Sequence, residues 1–177
     1  TGFALSFFKE VNKDTAPSDN IVTSPYSAGV ALSMLTEGAM GQTKVELENA
    51  LNGCLFSNQV LDGGDSVVVK SANSVWVDDN FSIRNRYVDL LEKDYGALVD
   101  CLNFADPATV RAINMWCSEN TNGKIDNILD NLTPGDVMVL INALYFNAPW
   151  EEKFDPSLTT KMDFNGVKSV KEVDMMY

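Results

Sequence analysis

The sequence predicts an α+β fold. Three observations carry that reading: stretches with apolar residues at helical spacing, two long strand-like runs at 67–77 and 137–146, and a hairpin signature around Asn165-Gly166. The 177 residues fit about one domain, or a piece of a larger one. A hydrophobic share of 45% and a charged share of 21%, with 11 Gly and 6 Pro, is ordinary globular composition and excludes disorder and low-complexity arrays.

The elements follow in order. Phe3, Phe7, Phe8 and Val11 put an apolar stripe on a first helix that runs into Asp14-Thr15-Ala16-Pro17. Ile21-Val22-Thr23 reads as a short strand. Ser24-Pro25 then opens a helix, because Ser can cap and Pro fits the first helical position. Val30, Leu32, Met34 and Leu35 make that helix apolar on most faces, so it should be buried, and Gly38 and Gly41 end it. Thr43-Lys44-Val45-Glu46 reads as a capping box for a helix that continues to Gly53.

Residues 54–66 read as irregular, and Val67–Val77 as a substantial strand that turns at Asp78-Asp79-Asn80. Tyr87, Leu90, Leu91 and Tyr95 mark a helix that Gly96 stops. A strand over Ala97–Phe104 follows, then a helix from Asp106-Pro107 to Asn122-Gly123. The apolar run 137–146 reads as a strand buried on both faces. Thr159 to Tyr177 is the hairpin.

Charge and composition exclude several functions. Against 25 Asp and Glu stand 13 Lys and Arg, a net charge of -12 that repels phosphate backbones and anionic lipid. Nucleic acid and membrane surfaces are therefore not expected partners. No apolar stretch reaches the ~20 residues of a membrane helix, and no signal-peptide pattern opens the sequence. The chain has no histidine, so it holds no Ser-His-Asp, Cys-His or His-ligated metal arrangement of its own. Cys54, Cys101 and Cys117 form no CxxC pair and read as small buried hydrophobes. The triplets at Asn80 and Asn131 occur at the frequency chance supplies.

No enzyme site or cofactor site survives inspection. Gly38 to Lys44 lacks the ending of a phosphate loop and reads as a helix end followed by a new helix. Asp78/Asp79 and Glu151/Glu152 read as solvated turn residues, and 126–131 has apolar residues where a calcium loop needs oxygens. The unusual feature is Asn142 within an apolar strand, where an unpaired buried amide costs about 1–3 kcal/mol. It needs polar partners, and Ser24 and Ser27 at a helix start are candidates.

Several separate motifs together resemble the serpin family. They are Asn20 to Ser27 followed by Ala31 to Leu35 and Gly38-Ala39, Thr43 with Glu46-Leu47, Thr121 to Ile125, Asn142 to Phe146 with Trp150, Phe154 and Asp155-Pro156, and Met175-Met176-Tyr177. The resemblance covers the whole chain. It implies helices packed around a large main sheet, with 1–177 as the N-terminal part of a single serpin domain. It assigns Ser24, Ser27 and Asn142 to the cluster called the shutter and Trp150 to the breach, where loop insertion begins. It implies that strand 137–146 is one wall of the gap that receives the reactive-centre loop, which with its reactive bond lies outside this chain.

The implied function is inhibition of a serine or cysteine endopeptidase, with no cofactor and no metal. The partners are the target protease and the C-terminal part of the same protein, and the site of action is extracellular. A non-inhibitory chaperone, carrier or storage role is the alternative. The sequence departs from the family at Ala148-Pro149 and at Asp174. Residues 54–66 are short and poor in Lys and Arg, which argues against heparin activation.

Overall fold

The computed structural model describes residues 2–16, 18–57, 66–166 and 169–177. Five helices, α1 Gly2–Lys13, α2 Pro25–Gly38, α3 Gly41–Ala50, α4 Asn85–Tyr95 and α5 Pro107–Asn120, alternate with strands β1 Val68–Asp78, β2 Ala97–Leu102 and β3 Met138–Asn147. A single 3-10 turn, Pro156–Leu158, precedes a hairpin of β4 Thr160–Asn165 and β5 Val170–Met175. The strands form a three-stranded sheet in the order β2-β1-β3 and the separate two-stranded β4-β5 ribbon.

Both faces of the main sheet are covered. β1 runs parallel to β2, with α4 as the crossover, and antiparallel to β3. Side chains alternate between the faces of a strand, so β1 feeds two cores. Val75 and Val77 pack with Val30 and Met34 of α2 and with Leu91 and Tyr95 of α4. Trp76 points the other way and joins Phe104, Ile113 and Ile141 beneath α5, with the Trp116 ring edge-on at 6.2 Å. α2 thus lies under the sheet and α5 over it.

Local chemistry explains most boundaries. The Ser24 hydroxyl accepts from the Ser27 amide at 3.1 Å, and Pro25 fills the first helical position. The packing also demands a glycine inside α2: a Cβ at Gly29 would come within 2.7 Å of the Phe56 ring. Gly96 ends α4 in the left-handed conformation at φ 57°, where other residues strain. Asp106 caps α5 by accepting from the Ala108 amide at 2.8 Å.

The structure corrects five expectations. Ile21-Val22-Thr23 is not a strand among the described residues; Val22 is 98% exposed, and no neighbouring ladder pairs with the segment. The capping box at Thr43 and Glu46 is not used, because α3 already begins at Gly41, whose φ of 59° turns the chain into the helix two residues earlier. β3 is not buried on both faces: only Ile141 and Ala143 are buried, since β3 lies at the sheet edge. Cys117 is buried, but Cys54 and Cys101 are exposed, one in the turn after α3 and one on the edge strand β2. Asp79 is exposed as expected, whereas Asp78 is buried and serves as a structural acceptor. Of the irregular 54–66 segment, residues 58–65 lie outside the described residues.

Asp78 ends β1 by gathering three amides. Its Oδ1 accepts from the Asn80 backbone at 3.0 Å and side chain at 2.8 Å, and its Oδ2 from the Phe104 amide at 3.0 Å. Hydrogen bonds from the Asn80 side chain first, and then from Phe104, hold its carboxyl below the usual range. A depressed folded-state pKa contributes stability above the unfolded value, and that contribution is lost as pH falls through the folded value. Asp78→Asn should therefore be less stable than wild type at neutral pH, with the difference closing in strong acid. Urea titrations at both ends of the range check this.

The thiols give a second test. Burial raises the pKa of Cys117, and only the thiolate is nucleophilic. A soluble alkylating reagent at neutral pH should label Cys54 and Cys101 before Cys117, as read by peptide mass mapping.

Candidate functional site

The candidate site is built where α2 starts beneath the β1-β3 pair. Asn142 stands directly opposite Asn73 in the antiparallel ladder. The bond from the Asp78 amide to the Val137 carbonyl, at 3.0 Å, sets the alternation of the ladder. It makes Asn73 and Asn142 a non-hydrogen-bonded pair, the kind whose side chains approach most closely. The main-chain polar groups of Asn142 consequently face away from β1, toward the free edge of β3.

The side chains complete a chain of hydrogen bonds. Asn142 Nδ2 donates to Asn73 Oδ1 at 2.7 Å and to Ser71 Oγ at 3.1 Å. Asn73 Nδ2 donates to the Tyr95 carbonyl at 2.8 Å, which ties the pair to the end of α4. The Ser27 hydroxyl reaches both the Asn142 carbonyl, at 3.2 Å, and Asn142 Oδ1. It has one proton, which it shares between these two acceptors. One polar path therefore links α2, β3, β1 and α4.

Of the residues singled out in the sequence, Ser27 and Asn142 are brought together. Ser24 joins them indirectly, since its hydroxyl caps α2 through the Ser27 amide. Trp150 is not part of the cluster. It lies beyond the end of β3, 71% exposed, with its ring edge-on to Phe154 at 6.0 Å. Sequence reasoning missed Asn73 and Ser71. Asn73 is 2% exposed, and the polar neighbours Ser71 and Ser74 mask the signal that the apolar run around Asn142 makes plain.

Beside the cluster a groove of about 330 Å³ runs along β3. It is lined by Val139, Leu140, Ile141 and Asn142, by Ser27, Ala28 and Ala31 of α2, and by Ile128 and Leu129. Four consecutive strand residues can line one groove only from the strand's edge, because their side chains alternate between faces. The groove is thus an apolar slot against a strand edge that no strand of the described residues pairs with, and it has an Asn142–Ser27 polar contact in its wall.

Two tyrosines close the far side of the α2 core. The Tyr87 hydroxyl donates to the Met34 carbonyl at 2.7 Å. Burial, and after it the charge of Glu37, pushes the phenols of Tyr87 and Tyr95 up to about 12, so both stay neutral donors at physiological pH. Among the described residues no group of three acidic or thiol side chains is placed to hold a metal, and no helix is long and apolar enough to cross a membrane.

The fold agrees with the comparisons. A family model described as Serpin (serine protease inhibitor) matches residues 1–177, and the chain belongs to that family. A serpin-like protein of Methanosarcina acetivorans is 31% identical over 99% of this chain and 45% of its own length. The leukocyte elastase inhibitor of Sus scrofa is 32% identical over the whole of this chain and 50% of its own. The structure of Arabidopsis AtSerpin1 in its native stressed conformation superposes with a TM-score of 0.85 at 27% identity, covering 99% of this chain and 49% of that one. The chain spans about half the length of the curated relatives it matches.

Removing the Asn142 side chain takes the donor away from Oδ1 of the buried Asn73, a loss of about 1–3 kcal/mol, and from Ser71 Oγ, whereas Ser27 keeps the backbone carbonyl of residue 142. Asn142→Leu should therefore destabilise more than Asn147→Leu at the exposed end of the same strand. The comparison is read from denaturation midpoints of the two variants.

Proposed function

We propose that the protein of which these residues form part inhibits a serine or cysteine endopeptidase by strand insertion. Membership of the serpin family carries the reading, and the apolar slot along β3, whose other wall the remainder of the protein would supply, supports it. A strand edge offers unsatisfied N–H and C=O groups, and an extended segment entering beside it gains ladder bonds and apolar burial. In this reading residues 1–177 are the N-terminal part of one serpin domain. The reactive loop is supplied by the remainder of the chain, and on cleavage it enters the slot and drags the acyl-enzyme with it.

The protease would contribute every catalytic group; the inhibitor would contribute bait and stored strain. Ser24, Ser27 and Asn142, joined by Asn73, would act as the shutter where the sheet parts, and Trp150 as the breach residue at the end of β3. The net charge of -12 favours a protein partner over nucleic acid, membrane or heparin. The resemblance alone leads to the expectation of an extracellular site of action. The exposed unpaired thiols Cys54 and Cys101 are better tolerated in a reducing compartment, which favours an intracellular one.

The full-length protein should form an SDS-stable adduct with a serine or cysteine protease, visible as a band at the summed mass less the peptide released from the C-terminal side of the cleaved bond. A full-length protein that is cleaved by every protease tried and traps none would sink the proposal and favour a carrier or chaperone role. Residues 1–177 alone should trap nothing. They should also self-associate, because Phe146, Trp150, Phe164 and Val170 are all more than half exposed and the β3 edge is open. A monodisperse, cooperatively unfolding monomer of residues 1–177 would contradict this.

A further inference from the structure

We infer that Asn114 is a positioning residue that sets the outer wall of the β3 groove, and with it the ease with which a strand enters. The inference rests on the strand-insertion reading above. Between α5 and β3 the chain runs through residues 121–137, and within the described part of this strap no residue belongs to a helix or a strand. Such a segment has no ladder of its own to fix it. Its Ile128 and Leu129 nevertheless line the groove opposite α2.

One side chain fixes them. Asn114 on α5 accepts from the Ile128 amide at 2.9 Å and the Leu129 amide at 3.0 Å, both at Oδ1. Its Nδ2 donates to the Leu129 carbonyl at 2.8 Å and to Asn127 Oδ1 at 3.0 Å. An amide side chain has two donors and two acceptor positions, and here all four are used on the strap. Leu129 also packs into the core under α5, so the hydrogen bonds choose the register in which that leucine is seated.

Two features make this a gate-setting contact. Ile128 is 39% exposed and belongs to none of the buried clusters, so its position depends on the Asn114 bonds more than on packing. The wall opposite, Ser27 and Ala31, belongs to the buried helix α2. Widening the slot is therefore easiest on the strap side.

The test uses the full-length protein and the variants Asn114→Ala and Cys117→Ala. Cys117 lies on the same helix and is buried, and its hydrogen bond with the strap, from the Thr121 hydroxyl at 2.9 Å, is made by its backbone carbonyl, which the substitution keeps, so its variant controls for loss of helix stability. Two quantities are measured: hydrogen exchange at the Ile128 and Leu129 amides, and uptake of a fluorescein-labelled peptide copying the protein's own reactive loop. Asn114→Ala should raise exchange at both amides by ~10-fold or more and speed peptide uptake several-fold. Cys117→Ala should lower the unfolding temperature without moving either readout. Unchanged exchange in Asn114→Ala would overturn the assignment. So would faster exchange with unchanged uptake, which would leave Asn114 merely structural, or equal acceleration by Cys117→Ala. Neither readout involves a protease, so their failure is distinct from a failure to form the covalent adduct. A wild-type protein and variants that take up no peptide would overturn the strand-entry reading itself.

Discussion

The pairing of two amides across β1 and β3 is the contact on which the arrangement of this chain turns. Asn73 and Asn142 meet at 2.7 Å on the face of the sheet that α2 covers. Each has a second obligation, Asn73 to the end of α4 and Asn142 to Ser71 and Ser27. A slip of one residue in the β1-β3 register would turn the Asn142 amide toward α5 and break its bond to Asn73. Apolar side chains alone would tolerate such a slip better, since one valine or leucine replaces another at modest loss. The amides thus specify register, and register in turn decides which edge groups of β3 face outward.

From that register follows the asymmetry of the sheet. Its two outer strands, β2 and β3, both present an edge, but they are managed differently. On β2 the Asp100 carboxylate accepts from the Cys101 amide at 2.8 Å, which occupies an edge donor and places a charge there. Charged side chains on an edge discourage strand addition. On β3 the only side chain reaching the outward-facing carbonyl of Asn142, among the described residues, is Ser27. A hydroxyl that bridges two acceptors can give up one and keep the other. That carbonyl is covered by a single reversible bond, where the β2 edge carries a charge.

The sequence made much of this legible, for identifiable reasons. Asn142 stands out because its neighbours on both sides are apolar for several residues, so an amide there signals a buried partner. Asn73 carries the same meaning, but Ser71 and Ser74 flank it and make the run look like an ordinary half-polar strand. The caps at Ser24 and Asp106 were readable because a cap is a local affair of three residues. The short strand expected at 21–23 failed for the opposite reason: a strand is defined by its neighbour, and β-branched residues cannot supply one. Asn114 gave no signal at all. Its partners lie 13 to 15 residues ahead, and only the path of the strap brings them back to α5.

A half-buried polar cluster at the edge of a slot is a poor choice for maximum stability and a good one for control. Well-packed leucines at positions 73 and 142 would avoid desolvating four polar groups, and such replacements in other proteins are often neutral or stabilising. They would also remove any difference between the closed and the opened edge except contact area. Amides behave otherwise, because their free energy depends on having partners and hardly on which partners. When a strand enters beside β3, the outward carbonyl of Asn142 can exchange the Ser27 hydroxyl for a backbone N–H with little net change. The apolar walls, Leu140 on the sheet and Ala31 on the helix, meanwhile gain a face to bury against. Under the proposed strand-insertion function, entry would be driven by burial and gated by hydrogen-bond exchange. Mutating the walls should change how favourable entry is, whereas mutating the amides or the strap should change how readily it begins.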